Sequence, residues 1–174
     1  MRCFLTDLLR LQDYSEDSLQ NIFSSTKVIT SLVIAMLADR GHLRYDQRIA
    51  ELWPDFAQNG KEGITVADLM RHEAGLAEFD FAIPLDNITT QALKAGKLSG
   101  SIASQKPKWR NNSRRQYHSL TRGLIANEIV MRADPQQRTI GEFVAQEIAG
   151  PLRCALTILY HSHTIVCALS NGFV

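Results

Sequence analysis

The stretch SSTKVITSLVIAMLADR, from Ser24 to Arg40, constrains the fold more than any other part of this chain. Val28, Ile29, Leu32, Val33, Met36 and Leu37 recur at the three- and four-residue steps of one helix face. Ile34, Ala35 and Ala38 make the other faces apolar as well. A helix apolar nearly all round is a buried one, so this reading runs it through the middle of a domain. Ser24, Ser25 and Thr26 supply N-cap oxygens, and Gly41 is placed to end the helix in a left-handed turn.

The rest of the chain is organised around that helix. Residues 1–20 are polar and mixed, without a clear period. A short amphipathic piece runs from Asp46 to Leu52 and stops at Trp53-Pro54, and Gly60-Lys61-Glu62-Gly63 reads as a turn. Thr65 opens a helix over Val66 to Arg71 that closes near Gly75. Residues 76–88 and 97–116 read as loops, with a helix over Thr89 to Ala95 between them. His118 to Met131 is helical, with Leu120, Leu124, Ile125 and Ile129 on one side. Thr139 and Glu142 form a capping box for a last helix ending at Gly150-Pro151. From Ala155 to Leu169, β-branched and apolar residues predict one or two short strands.

Composition narrows the function classes. A chain of 174 residues, 45% hydrophobic and 21% charged, can bury a core as one ordinary domain. A net charge of +1 argues against a dedicated nucleic-acid binder. The longest apolar stretch, Val28 to Ala38, includes Thr30 and Ser31 and is too short to span a bilayer. The N-terminal MRCFLTDLLRLQDYSED carries too many charges for a secretory signal. Cys3, Cys154 and Cys167 form no C-x-x-C pair, which points to reduced thiols and a cytoplasmic setting by default.

Chemistry enters with S-x-x-K, Ser24 and Lys27, which stand one turn apart on one helix face. That spacing suits a serine nucleophile and an amine that handles its proton, at a helix start whose dipole favours a forming anion. The same pattern also describes a cap serine followed by a solvent-facing lysine. Its place at the mouth of the most apolar helix favours the catalytic reading. Tyr117, in RQYHSLTRGLIANEI, is a second proton-transfer candidate, and Ser119 could turn back into the same cleft. The triplet Tyr-His-Ser recurs at 160–162, so Tyr117 is preferred only because it stands between a polar loop and a helix. His72 reads as a helix-end residue that caps carbonyls. His161 and His163 lack neighbours with ligand spacing, so no metal or other cofactor is expected. Lys106, Lys108, Arg110, Arg114 and Arg115 around Trp109 read as a solvated basic loop, with a nucleic-acid patch as the other reading.

Four blocks in order resemble the β-lactamase-related serine hydrolases, the group of class C β-lactamases, D-alanyl-D-alanine carboxypeptidases and related carboxylesterases. They are FSSTKVITSLVIAMLADRGHLRYDQRIAELWPDF, GITVADLMRHEAGL, YHSLTRGLIANEIVMRAD and FVAQEIAGPL, which span residues 14–153 as a partial domain, with 154–174 as a divergent tail. HEAGL resembles the family's His-x-Ser-Gly-Leu, with Ala74 in the serine position. YHS resembles an esterase-like variant of the lactamases' Tyr-x-Asn, which favours ester or amide substrates over β-lactams. The resemblance implies an α/β, β-lactamase/transpeptidase-like fold. This chain would cover mainly its helical subdomain, with the antiparallel sheet largely missing. It implies acylation of Ser24, proton movement by Lys27 and Tyr117, and substrate holding by Ser119.

After Pro151-Leu152 no Lys-Thr-Gly or His-x-Gly follows. In the family that strand supplies one of two oxyanion donors, and losing one costs on the order of a hundred- to a thousandfold in rate. A truncated, impaired hydrolase of small-molecule esters or amides is therefore expected, with self-association through uncovered apolar surface. A non-catalytic ligand- or protein-binding member of the same fold is the alternative, and a plain helical domain with a chance S-x-x-K is a third reading.

Overall fold

The computed structural model describes residues 22–109 and 114–153, together with the backbone of Tyr160–His161 and Thr164–Ile165. Residues 1–21, all three cysteines, Arg110 and most of the tail lie outside the described residues. So do the side chains of Tyr160, His161 and His163.

A 3-10 turn, Phe23–Ser25, leads directly into helix α1, Thr26–Asp39. Because that turn already gives the first helical N–H groups carbonyl partners, none of the three expected cap hydroxyls caps α1. Thr26 Oγ1 donates instead to the Phe23 carbonyl at 2.7 Å. The helix ends as expected. Gly41, at φ +74°, donates to Ala38 O, and His42 N–H reaches Leu37 O at 2.9 Å, the two bonds of a Schellman stop.

Burial of α1 departs from the sequence reading. Thr26, Thr30, Val33, Ile34 and Leu37 form the buried stripe, while Val28 is 68% and Leu32 42% exposed. The helix is buried on one side only, rotated from the expected face, because its packing partners are two helices on that side. These are α6, Thr121–Ala133, and α7, Ile140–Val144.

Two short helices, α2 (Ile49–Leu52) and α3 (Val66–Met70), are joined through an isolated bridge between Arg48 and Thr65. The turn between them hides a lysine that periodicity did not single out. Lys61 is fully buried, and its Nζ donates to the carbonyls of Gln58, Ala103 and Gln105 at 2.9, 2.8 and 2.6 Å. Burial pulls its amine down to about 8, partly opposed by Glu62.

The expected helix after Thr89 is α4, Thr90–Lys94, capped by the Thr89 hydroxyl. The 97–116 segment, read as loop, contains helix α5, Ser99–Ser104. Its Ser- and Gly-rich sequence has low helix propensity, and burial of Ile102 and Ala103 overrides that. The helix read from His118 starts later, as α6 at Thr121, and Leu120 is 44% exposed rather than on the packed side.

Thr139 and Glu142 form the expected capping box on α7. A π-helical segment, Ala145–Ala149, follows and carries the chain through Gly150-Pro151 into α8, Gly150–Leu152. Pro151 falls in the first turn of α8, where its missing N–H interrupts the helix least. In the tail, Tyr160 pairs with Ile165 and His161 with Thr164, antiparallel, as strands β1 (Tyr160–His161) and β2 (Thr164–Ile165). Among the described residues no helix is long and apolar enough to cross a membrane.

One glycine is fixed by contact. Gly75, at φ +75°, would place a Cβ 2.5 Å from the Trp109 carbonyl oxygen, and its own carbonyl accepts from Lys108 N–H at 2.8 Å. Gly75→Ala is expected to cost at least about 2 kcal/mol, from left-handed strain plus backbone overlap. Chemical denaturation measures it.

Candidate active site

Ser24 lies at the mouth of α1, in the 3-10 turn just ahead of the helix. The residue before it, Phe23, is held at φ +45°, a conformation that costs free energy for a bulky side chain and recurs at functional sites. The Tyr117 hydroxyl donates to Ser24 Oγ at 2.6 Å across 93 residues of sequence. Lys27 Nζ reaches the same oxygen at 3.4 Å and stands 4.8 Å from the centre of the Tyr117 ring. The three residues singled out from sequence therefore meet at one atom. Lys27 is half-buried rather than free in water.

Tyr117 precedes α6 in an extended segment, and its position is set by a residue whose role the sequence reading misjudged. His72 does not cap carbonyls. At φ +65° it turns the chain at the end of α3, accepts the His118 backbone N–H on Nδ1 at 2.9 Å, and its carbonyl accepts Gln116 N–H at 3.1 Å. Both neighbours of Tyr117 are thus tied to one residue, and the His72 ring lies 5.1 Å from the tyrosine ring. Desolvation, helped by the positive charge of Arg122, lowers His72 to about 4, so it stays a neutral acceptor.

His118 is fully buried beneath. Its Nδ1 lies 2.6 Å from Gln116 O, and its Nε2 accepts from Leu76 N–H at 3.0 Å. A ring that accepts at Nε2 donates at Nδ1, which defines the neutral tautomer. Burial accordingly holds His118 below the ordinary histidine value. The HEAGL block is thereby a clamp for the YHS block.

The hydrogen bond to Ser24 and the neighbouring Lys27 hold the Tyr117 phenol below its usual range, with Arg122 adding a smaller positive field. Arg122 is a residue that the sequence reading passed over. Only 5% exposed, it donates from Nη2 to Ser31 Oγ at 2.6 Å, and Ser31 in turn donates to Lys27 O at 2.8 Å. The signal for it was a cation on the apolar side of α6, between Thr121 and Leu124.

A cavity of about 250 Å³ opens beside Ser24 and Lys27. Ser119, the expected substrate holder, lines it, as do Arg122, Ile83, Leu85 and Leu124. None of the described residues of the basic loop lines the cavity, and three of its charges have partners. Lys108 pairs with Asp80, Arg115 with Glu73 at 2.6 Å, and Arg114 stands over the Trp109 ring at 5.4 Å. Among the described residues no group of three His, Cys, Asp or Glu side chains could hold a metal.

The chain matches the family model described as Beta-lactamase over residues 5–162. It is 33% identical over 142 residues to a Mycobacterium tuberculosis (strain ATCC 25618 / H37Rv) protein named esterase/beta-lactamase LipL. That match covers 80% of this chain and 30% of the relative. Among solved structures it is similar to a penicillin-binding protein homologue from Caulobacter crescentus, at 34% identity and TM-score 0.76, covering 87% of this chain and 39% of that one. A family VIII carboxylesterase matches at 30% identity and TM-score 0.73, covering 84% of this chain and 38% of that one. The chain thus spans well under half the length of the relatives it matches. Its fold is β-lactamase/transpeptidase-like, and the described residues form mainly the helical part of that fold. The chain belongs to the β-lactamase family of serine hydrolases.

Proposed function

We propose that this chain carries the acyl-transfer centre of an ester or amide hydrolase. Ser24 is the nucleophile, Tyr117 and Lys27 move its proton, and Ser119 holds substrate. The single observation that carries this reading is the 2.6 Å hydrogen bond between Tyr117 and Ser24, with Lys27 Nζ beside both groups. A tyrosine held below its usual range is a better proton acceptor near neutral pH.

In the proposed reaction Ser24 Oγ attacks the substrate carbonyl carbon while its proton passes to the Tyr117 oxygen. The tetrahedral centre then expels the alcohol or amine, which takes that proton. Water adds to the acyl-enzyme by the reverse transfer and frees the acid. Lys27 Nζ, beside both oxygens, shares this proton transfer with Tyr117, and the positive end of α1 favours the anion. Turnover by this chain is proposed to be about a hundred- to a thousandfold below that of a site with both oxyanion donors, because the described strands, β1 and β2, carry no Lys-Thr-Gly or His-x-Gly. Capture of a fluorophosphonate ester at Ser24 tests the centre itself, since it needs the nucleophile and its base but no completed turnover.

A second reading, a non-catalytic member that binds a ligand or protein partner, draws on exposed apolar side chains of α1 and the turn before it, where Phe23, Val28 and Leu32 are 67%, 68% and 42% exposed. The same surface is proposed to drive self-association. Light scattering across a concentration series is expected to show dimers or larger species, reduced in a Val28→Gln/Leu32→Gln variant. A concentration-independent monomer would remove the idea.

A further inference from the structure

Among the described residues, Arg122 is a buried cation without an ion-pair partner. The residue is 5% exposed, and among the described residues Nη2 donates to the neutral Ser31 hydroxyl and lies 3.7 Å from the Met70 sulfur, while Nε has no hydrogen-bond partner. The described carboxylates nearby pair with other arginines. Asp68 and Glu73 go to Arg71, Glu73 also to Arg115, and Glu128 to Arg132. Burial pushes its pKa down, but a guanidinium does not shed its proton in a protein, so the charge stays. Burying an ion without an opposite charge is costly, and a leucine or phenylalanine would fill this apolar site at no such cost.

The charge lines the cavity that holds Ser24 and Lys27, whose other walls include Ile83, Leu85, Ile88 and Leu124. Arg122 is anchored against α1 at Ser31, two helical turns beyond Ser24, roughly 10 Å along the helix. An apolar slot with a reacting hydroxyl at one end and a fixed fork of N–H donors at the other suits a chain with a carboxylate at its far tip.

We infer that the cavity beside Ser24 selects acyl groups ending in a carboxylate, which pairs with Arg122, so that the preferred substrates are monoesters or monoamides of short dicarboxylic acids. This rests on the reading of Ser24 as the acylated residue. Lys27 is the other cation in reach of the cavity, but it is already engaged with Ser24 and the Tyr117 ring.

The test compares monomethyl adipate, which carries the anion, with dimethyl adipate, which has the same chain without it. Each is added to the purified chain, and both the shift in melting temperature and the slowing of fluorophosphonate capture at Ser24 are read. The monoester is expected to bind at least about tenfold more tightly, at equal ionic strength. Arg122→Gln should erase that difference and Arg122→Lys should keep part of it. Equal behaviour of the two ligands with the unaltered chain, which involves no variant that could misfold, overturns the inference. So does a preference that survives in Arg122→Gln, since the anion would then rest on Lys27. If Ser24 is never captured while the monoester still stabilises the fold through Arg122, the acylation reading fails and the anion site stands.

Discussion

Ser24→Ala is expected to abolish covalent capture of a fluorophosphonate ester, and Tyr117→Phe to slow it by about a hundred- to ten-thousandfold, the usual worth of a positioned proton acceptor. In this reaction Ser24 Oγ bonds to phosphorus, fluoride leaves, and the serine proton passes to the Tyr117 oxygen. Tyr117→Phe removes that acceptor while keeping the ring that packs on His72 at 5.1 Å. The rate should rise with pH as the phenol ionises. Because Ser24 and Lys27 hold its folded value down, the midpoint falls below the ordinary 10.0, and the phenylalanine variant should lose that inflection. Peptide mapping after timed labelling measures both effects. Equal labelling of Ser24→Ala, or an unchanged rate and pH profile in Tyr117→Phe, would sink the assignment.

The largest effect on stability is expected at the other end of the helical layer. Arg138 forms a two-pronged pair with Asp134, at 2.7 and 2.9 Å, and reaches Glu147 at 2.8 Å and Gln146 at 3.0 Å. The side chains of Arg138 and Asp134 are 7% and 1% exposed. Arg138→Leu leaves the Asp134 carboxylate buried beside apolar atoms, which costs about 3 kcal/mol and lowers the melting temperature by about 6–12 °C. Arg138 holds Asp134 below the usual carboxylate value. A depressed acid contributes stability above its unfolded pKa and loses it as pH falls through the folded one. The unaltered chain should therefore lose this contribution below about pH 4, and the variant should show a smaller loss on acidification. Thermal melts of both proteins between pH 3 and 7 decide it. A drop of under 1 kcal/mol at pH 7 would mean that the site relaxes to admit water.

Several parts of this protein were legible from spacing alone. The stop of α1 at Gly41, the Thr65 and Thr139 helix starts and the Ser24–Lys27 pair each depend on residues within one helical turn. Backbone hydrogen-bond geometry fixes such relations wherever the segment lies. The meeting of Ser24 and Tyr117 was legible only as a resemblance, because nothing in either segment specifies a contact across 93 residues. Tertiary packing decided which side of α1 is buried, since a helix with apolar residues on nearly every face carries little preference and the positions of α6 and α7 supply one. It also made a helix of Ser99–Ser104 and turned His72 from a cap into the clamp on Tyr117. Lys61 and Arg122 were left buried for the same reason. A charge enters the interior where the surrounding fold offers carbonyls or a cavity, and those partners come from distant segments that local sequence does not encode.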